Sequence, residues 1–239
     1  MLNRFSSKIA NLKSLRGIRS QPFVRPFLVQ LYKSLRRAGF LEATRLLIGP
    51  SPLILSATST ADYSPYQFLT PTTDRLQLWI DQATCPSTIG DASTLNRPER
   101  RVVVTMFEGR VVGFSWIATG WIDSDENFSR TKSLGTGIRL PVGVAFVYNA
   151  WVCPEHRGKA LLKSMITYAI TEHFTDIERI VVTMDWINAA SLASFRKLSM
   201  SQLGIVTRVK LGSFQWIFVP PSANDNAISC SVSPTTEKT

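Results

Sequence analysis

Val152-Cys153-Pro154-Glu155-His156-Arg157-Gly158-Lys159-Ala160-Leu161 is the stretch on which the fold turns. Upstream, residues 142–152 are dense in Val, Phe, Tyr and Trp, the composition of a buried β-strand. Downstream, Leu161, Leu162, Met165, Ile166 and Ile170 recur at helical spacing. A strand therefore runs into a short loop whose glycine lies at the start of a helix. The first amides of that helix lack intrahelical acceptors and point outward with the positive end of its dipole. Such a loop is an anion site, suited to a diphosphate. Gly158 permits close backbone approach, and Arg157 and Lys159 add charge at the rim. The loop lacks both the G-x-x-x-x-G-K-[ST] pattern of nucleotide triphosphatases and the G-x-G-x-x-G dinucleotide fingerprint.

Further out, residues 101–107 and 110–117 are two β-rich runs joined by Glu108-Gly109, which reads as a hairpin. Residues 76–83 suit a short helix and 123–137 a polar, mobile loop. Residues 180–184 read as a further strand and 188–198 as a helix; 204–211 and 214–219 close the sheet. Pro220-Pro221 ends this unit, and the Ser/Thr-rich residues 222–239 read as a disordered tail.

The charge is uneven. Of 27 Lys+Arg and 17 Asp+Glu, ten cations and one acid (Glu42) fall in residues 1–50, so that segment carries +9 of the net +10. Leu2, Phe5, Ile9, Leu12 and Leu15, then Val24, Phe27, Leu28, Leu31 and Leu35, stand at helical spacing among these cations. The reading is a basic amphipathic helical arm, residues 1–50, ahead of one domain at 51–221. Four uses of the arm remain open: packing on the domain, in-plane attachment to an anionic membrane, nucleic-acid binding, or an organelle transit peptide. Nucleic acid is disfavoured, because no aromatics are interleaved as a stacking platform. No apolar run approaches the ~20 residues that cross a bilayer. Three scattered Cys and two His argue against a disulfide framework and a metal site, and for a reducing cytoplasmic setting with peripheral membrane contact as an option.

The order hairpin, long strand, P-E-H-R-G-K-A loop, helix, strand, N-A-A-S-L-A-S-F-R-K-L-S-M resembles the GNAT N-acetyltransferase superfamily over residues 100–219. The family's pyrophosphate loop, Q/R-x-x-G-x-G/A, corresponds to Glu155-His-Arg-Gly158-Lys-Ala160. Its later motif, N-x-x-A-x-x-x-Y-x-K-x-G-F, corresponds to residues 188–200, with Asn188 and Lys197 retained and Phe195 in place of the tyrosine. The resemblance implies a mixed α/β fold: a central, mostly antiparallel sheet with flanking helices, here preceded by basic amphipathic helices.

It also implies an acyl-CoA co-substrate, acetyl-CoA or another, and N-acyl transfer to a primary amine by direct attack in a ternary complex, without a metal. Ala150, Trp151 and Val152 would hold the pantetheine arm where two strands part; the amides of Arg157, Gly158, Lys159, Ala160 and Leu161 would hold the diphosphate. Asn188 would contact pantetheine or cap its own helix. Phe195 would stand by the coenzyme sulfur, where it cannot donate a proton. Asp185 and Tyr148 are the candidate base and acid, and Asp123, Asp125 and Glu126 candidate attractants for a cationic amine. With residues 1–50 taken as a separate arm, a chain lacking residues 1–49 is expected to keep coenzyme binding. A catalytically weak acyl-CoA-binding or scaffolding module is the alternative, since no carboxylate occurs in residues 142–152.

Overall fold

The computed structural model describes residues 24–51, 65–128 and 134–231. The Leu2–Leu15 helix reading lies outside the described residues.

The architecture is the expected one: a mixed, mostly antiparallel sheet flanked by helices. The hairpin is β3 (Arg100–Phe107) and β4 (Arg110–Thr119). Its turn residues both have positive φ, Glu108 at 48° and Gly109 at 76°. That backbone twist matches the twist of the strands it joins. The long strand is β7 (Val144–Val152), antiparallel to β4 and parallel to β8 (Arg179–Asp185). With β1 (Leu41–Pro50), β2 (Gln67–Leu69), β9 (Ser201–Leu211) and β10 (Phe214–Phe218), the sheet order is β10-β9-β1-β8-β7-β4-β3-β2.

Two faces of this sheet are covered. On one, helix α3 (Leu161–His173) buries Met165, Ile166, Ala169 and Ile170 against Val103, Ile117, Ala145, Val147 and Leu47. On the other, Leu46, Ile48, Phe146, Val181 and Val206 meet a three-stranded sheet of β5 (Trp121–Ile122), β6 (Gly137–Arg139) and β11 (Ser229–Ser231). Over β3 and β4, helix α2 (Thr73–Asp81) inserts Leu76 beside Ile89, Phe114 and Trp116.

Three sequence expectations change. Residues 41–50, assigned to the helical arm, form β1, inserted between β8 and β9 (Thr44 opposite Asp185, Leu46 opposite Gly204). A short apolar run fits a buried strand or a buried helix equally well, and distant strand partners decide it. The segment 24–37 is a helix, α1 (Val24–Arg37), but it packs on β1 as part of the same unit, so the boundary at residue 51 does not hold. Residues 222–231, read as disordered, supply helix α5 (Pro221–Asp225) and β11, with Ala223 and Ile228 fully buried. Those two apolar side chains supply the burial that a Ser/Thr-rich composition conceals.

Candidate functional site

The site begins with an irregularity in β7. Phe114 pairs with Trp151 and Trp116 with Tyr148, so Asn149 and Ala150 together face Ser115 alone. This is a β-bulge, and Asn149 takes φ 43° to make it. Its side-chain amide donates to the carbonyls of Thr88 (2.9 Å) and Ile89 (3.2 Å), which fixes the bend. Parallel pairing of β7 with β8 stops at Val147–Val182, although both strands continue. Beyond that point the two strands carry no mutual ladder, and this unpaired stretch is the β7–β8 gap.

The 154–160 loop follows directly. Pro154–His156 is a single 3₁₀ turn, then Gly158 and Ala160 take φ 80° and 56°. Among the described residues, no backbone carbonyl accepts from the amides of Gly158, Lys159 or Ala160. With the first amides of the 13-residue α3 they form a row of free donors at a helix N-terminus. A Cβ built on Gly158 meets nothing within 4 Å, so the loop faces open space.

The β7 side of this gap and the loop share one cleft of about 670 Å³. Its walls are Ala150, Trp151 and Val152, the loop residues His156, Arg157, Gly158 and Ala160, and Leu161, Leu162 and Lys163 of α3. Asn188, Ala190, Ser191, Ser194, Lys197 and Leu198, in or beside helix α4 (Ala189–Arg196), close the far side. Among the described residues the lining holds Arg157, Lys163, Lys197 and His156 and not one carboxylate. In charge and shape it suits an elongated polyanion.

Most of the residues read from the sequence as coenzyme ligands are therefore brought together: Ala150, Trp151, Val152, Arg157, Gly158, Ala160, Leu161 and Asn188. Asn188 is also the cap of α4, its Oδ1 accepting from the Ser191 amide at 3.0 Å. Its carboxamide NH2 is the donor that remains. Two rim side chains are turned away from the expected role. Arg157 Nε donates to the Val152 carbonyl (3.1 Å). Lys159 Nζ donates to the Tyr66 hydroxyl (2.8 Å), which in turn contacts His156 Nδ1 (2.9 Å); Lys159 does not line the cleft.

Phe195 is a correction. It is 4% exposed and packs with Met165, Leu198 and Met200, on the inner face of α4, so it does not reach the cleft. Asp185 is also placed differently from a base. Its carboxylate is ion-paired with Arg36 of α1, accepts from the Ile187 amide (3.1 Å), and does not line the cleft. Tyr148 lies on the opposite side of the sheet, stacked on Phe146, and its hydroxyl donates to Glu126 Oε1 (3.2 Å). Burial, then the Glu126 charge, raise its pKa far above the usual phenol value, so it stays protonated. Asp123 and Glu126 are held by Arg97 and Arg100 rather than open to an amine. Helical spacing alone does not separate Phe195 from the cleft, since 188, 191 and 195 stand at i, i+3 and i+7; the core packing of the ring decides it.

No protein-family model and no curated protein matches the sequence. Among solved structures, it is similar to a GNAT-family protein from Novosphingobium aromaticivorans, with 16% identity over 70% of this chain and 62% of that one, at TM-score 0.44. It is also similar to a GCN5-related N-acetyltransferase from Kribbella flavida (11% identity, 76% and 64% coverage, TM-score 0.46). A third is an aminoglycoside N-acetyltransferase in complex with CoA (16% identity, 55% and 89% coverage, TM-score 0.39). The chain spans less than two thirds of the length of the first two.

Proposed function

We propose that this chain is an acyl-CoA-dependent N-acyltransferase, a GNAT-type enzyme that moves an acyl group to a primary amine. The observation that carries the reading is the cleft lining: three cations and a histidine, no carboxylate, beside a row of free amides. CoA is an elongated polyanion whose pantetheine arm carries alternating amides. Diphosphate on the amides of residues 158–161 and pantetheine between β7 and β8 would satisfy both partners, because each strand there has unpaired backbone groups. The thioester then lies by the bulge at Asn149–Ala150.

The reaction is direct attack in a ternary complex. A neutral amine nitrogen attacks the thioester carbonyl carbon, the carbonyl electrons shift to oxygen, and they return as the C–S bond breaks. One proton leaves the nitrogen, and the thiolate takes one up. The backbone amides at the bulge stabilise the oxyanion, and holding both reactants supplies the entropic advantage. No carboxylate lines the cleft among the described residues, and we assign the proton from nitrogen to water. The same absence favours one second reading, an acyl-CoA-binding module with little turnover. An assay of free-thiol release from acetyl-CoA over an amine library, with the full chain, separates the two. Release with any amine supports transfer; tight coenzyme binding without release on any acceptor supports the module.

The arm is proposed to bring this cytoplasmic chemistry to the inner face of a membrane, with an amine on a membrane-linked acceptor such as an amino-sugar precursor. Support comes from α1, whose outer face exposes Phe27, Leu28 and Leu31 beside exposed Lys33 and Arg37. Apolar burial and cation attraction reinforce each other at an anionic surface.

A further inference from the structure

The inner face of α1 carries a different message from its outer face. Tyr32 is 5% exposed, and its hydroxyl both donates to the Ala43 carbonyl and accepts from the Ala43 amide, each at 3.2 Å. One turn later, Arg36 is buried and lies over the Tyr32 ring, 5.3 Å from its centroid. Its guanidinium pairs with Asp185, the last residue of β8, and both side chains are nearly excluded from water. A helix residue and a strand end 149 positions apart, by their numbers, are thereby joined.

What Asp185 does with its remaining acceptors links this pair to the cleft. Oδ1 takes the amide of Ile187 (3.1 Å), and the backbone carbonyl takes the amide of Asn188 (2.9 Å). Between them, Trp186 donates its amide to Ala43 (3.1 Å) and accepts from Arg45 Nε (2.9 Å), while its ring meets Tyr32 edge-on at 5.3 Å. Asp185 is thus held by α1 and Trp186 by β1, while Ile187 and Asn188 are held by Asp185 itself. The turn ends at Asn188, which caps α4 and lines the cleft.

We infer that Arg36 and Asp185 are positioning residues for the coenzyme cleft: their ion pair, made by α1, sets the turn that places Asn188 and the start of α4 against the bound acyl-CoA. The inference rests on the reading of the cleft as an acyl-CoA site. A carboxylate left in a dry corner without its guanidinium takes up water or reorients, and either movement releases the Ile187 amide from its acceptor. Asn188 would then lose the fixed geometry that a two-residue turn gives it. Lys at position 36 keeps the charge but offers one point donor in place of a planar fork, so it restores only part of the geometry. Docking through the exposed Phe27, Leu28 and Leu31 does not require this contact to open, because Tyr32 and Arg36 are themselves buried.

The test uses the full chain and the variants Arg36→Gln, Arg36→Lys and Asp185→Asn. Two quantities are measured: amide hydrogen exchange of residues 185–191, and CoA affinity by calorimetry. In Arg36→Gln, exchange at Ile187 and Asn188 rises at least about tenfold with β4 protection unchanged, CoA binds at least about fivefold more weakly, and Arg36→Lys lies between. Wild-type exchange, or faster exchange with unchanged CoA affinity, overturns the inference. Asp185→Asn, which removes the charge that pairs with Arg36 at nearly constant shape, gives the same decision if Arg36→Gln does not fold. If the wild-type chain has no CoA affinity, the coenzyme reading fails by itself and the coupling to it falls with it, while exchange in Arg36→Gln still shows whether the ion pair holds the turn.

Discussion

Glu42→Ala is the perturbation that separates an appended arm from an integral strand. Glu42 and Arg208 are both fully buried, with Arg208 Nη1 3.3 Å from Glu42 Oε1. Arg208 also donates to Thr44 Oγ1 (3.0 Å) and, from Nε and Nη2, to Thr136 Oγ1 (2.8 and 2.6 Å). The network ties β1, β9 and the segment before β6 together out of reach of water. Burial, the larger influence, lowers the Arg208 pKa, and the Glu42 charge opposes that shift. Removing the carboxylate leaves a guanidinium buried without its counter-charge, a loss of about 3–5 kcal/mol. Replacing both ends, Glu42→Leu with Arg208→Met, removes the orphan as well and should destabilise less than Glu42→Ala alone. Thr136 tolerates the exchange because its hydroxyl keeps Asn127 Nδ2 at 3.1 Å. Urea unfolding followed by tryptophan fluorescence gives both numbers by linear extrapolation. An exposed arm pair is worth less than about 1 kcal/mol, so a Glu42→Ala loss that small would refute the placement of β1.

Truncation makes the same point from the other side. A chain lacking residues 1–23 should fold and bind coenzyme while losing part of its co-sedimentation with anionic liposomes at low salt. Removal of residues 1–49 takes away β1 and should give insoluble protein; a soluble, CoA-binding product of that deletion would contradict the sheet order. A full chain that ignores anionic liposomes at low salt would sink the membrane proposal. His173, at the end of α3, accepts or donates with Thr70 Oγ1 at 2.7 Å. Burial, then Arg101, lower its pKa, so its contribution to stability is complete above about pH 6.5 and is lost as pH falls below that value. His173→Gln should flatten stability across that acid window; an unchanged pH slope there would refute the assignment.

The parts of this molecule that were legible in the sequence are those whose determinants are local. Gly158, Ala160 and the apolar spacing of residues 161–170 specify a loop and a helix within one turn of each other, and Glu108-Gly109 specifies its own hairpin. The bulge was only approximately placed: nothing in Asn149 reports that it adopts positive φ until Thr88 and Ile89 are seen to hold it. β1 escaped detection because its pairing partners lie 129 or more residues away, and a run such as Leu41–Pro50 has no period that excludes a helix. Asp185 looked like a base for the same reason. Its chemistry is set by Arg36, far off in sequence and near in space. Phe195 was carried over from a motif position, whereas packing against Met165 assigns it to the core.

The central claim is that the 157–161 loop and the β7–β8 gap bind acyl-CoA, and calorimetric titration of CoA into wild-type, Gly158→Ala and Gly158→Asp chains tests it most directly. Any side chain at φ 80° introduces backbone strain of about 1–3 kcal/mol, shared by both variants. The alanine therefore controls for strain, and only the aspartate adds a negative charge in the open space before the free amides. The account predicts binding by the wild-type chain and at least about tenfold weaker binding by Gly158→Asp than by Gly158→Ala, or about 1.4 kcal/mol. Equal affinities in the two folded variants, or no CoA binding by the wild-type chain, would contradict it.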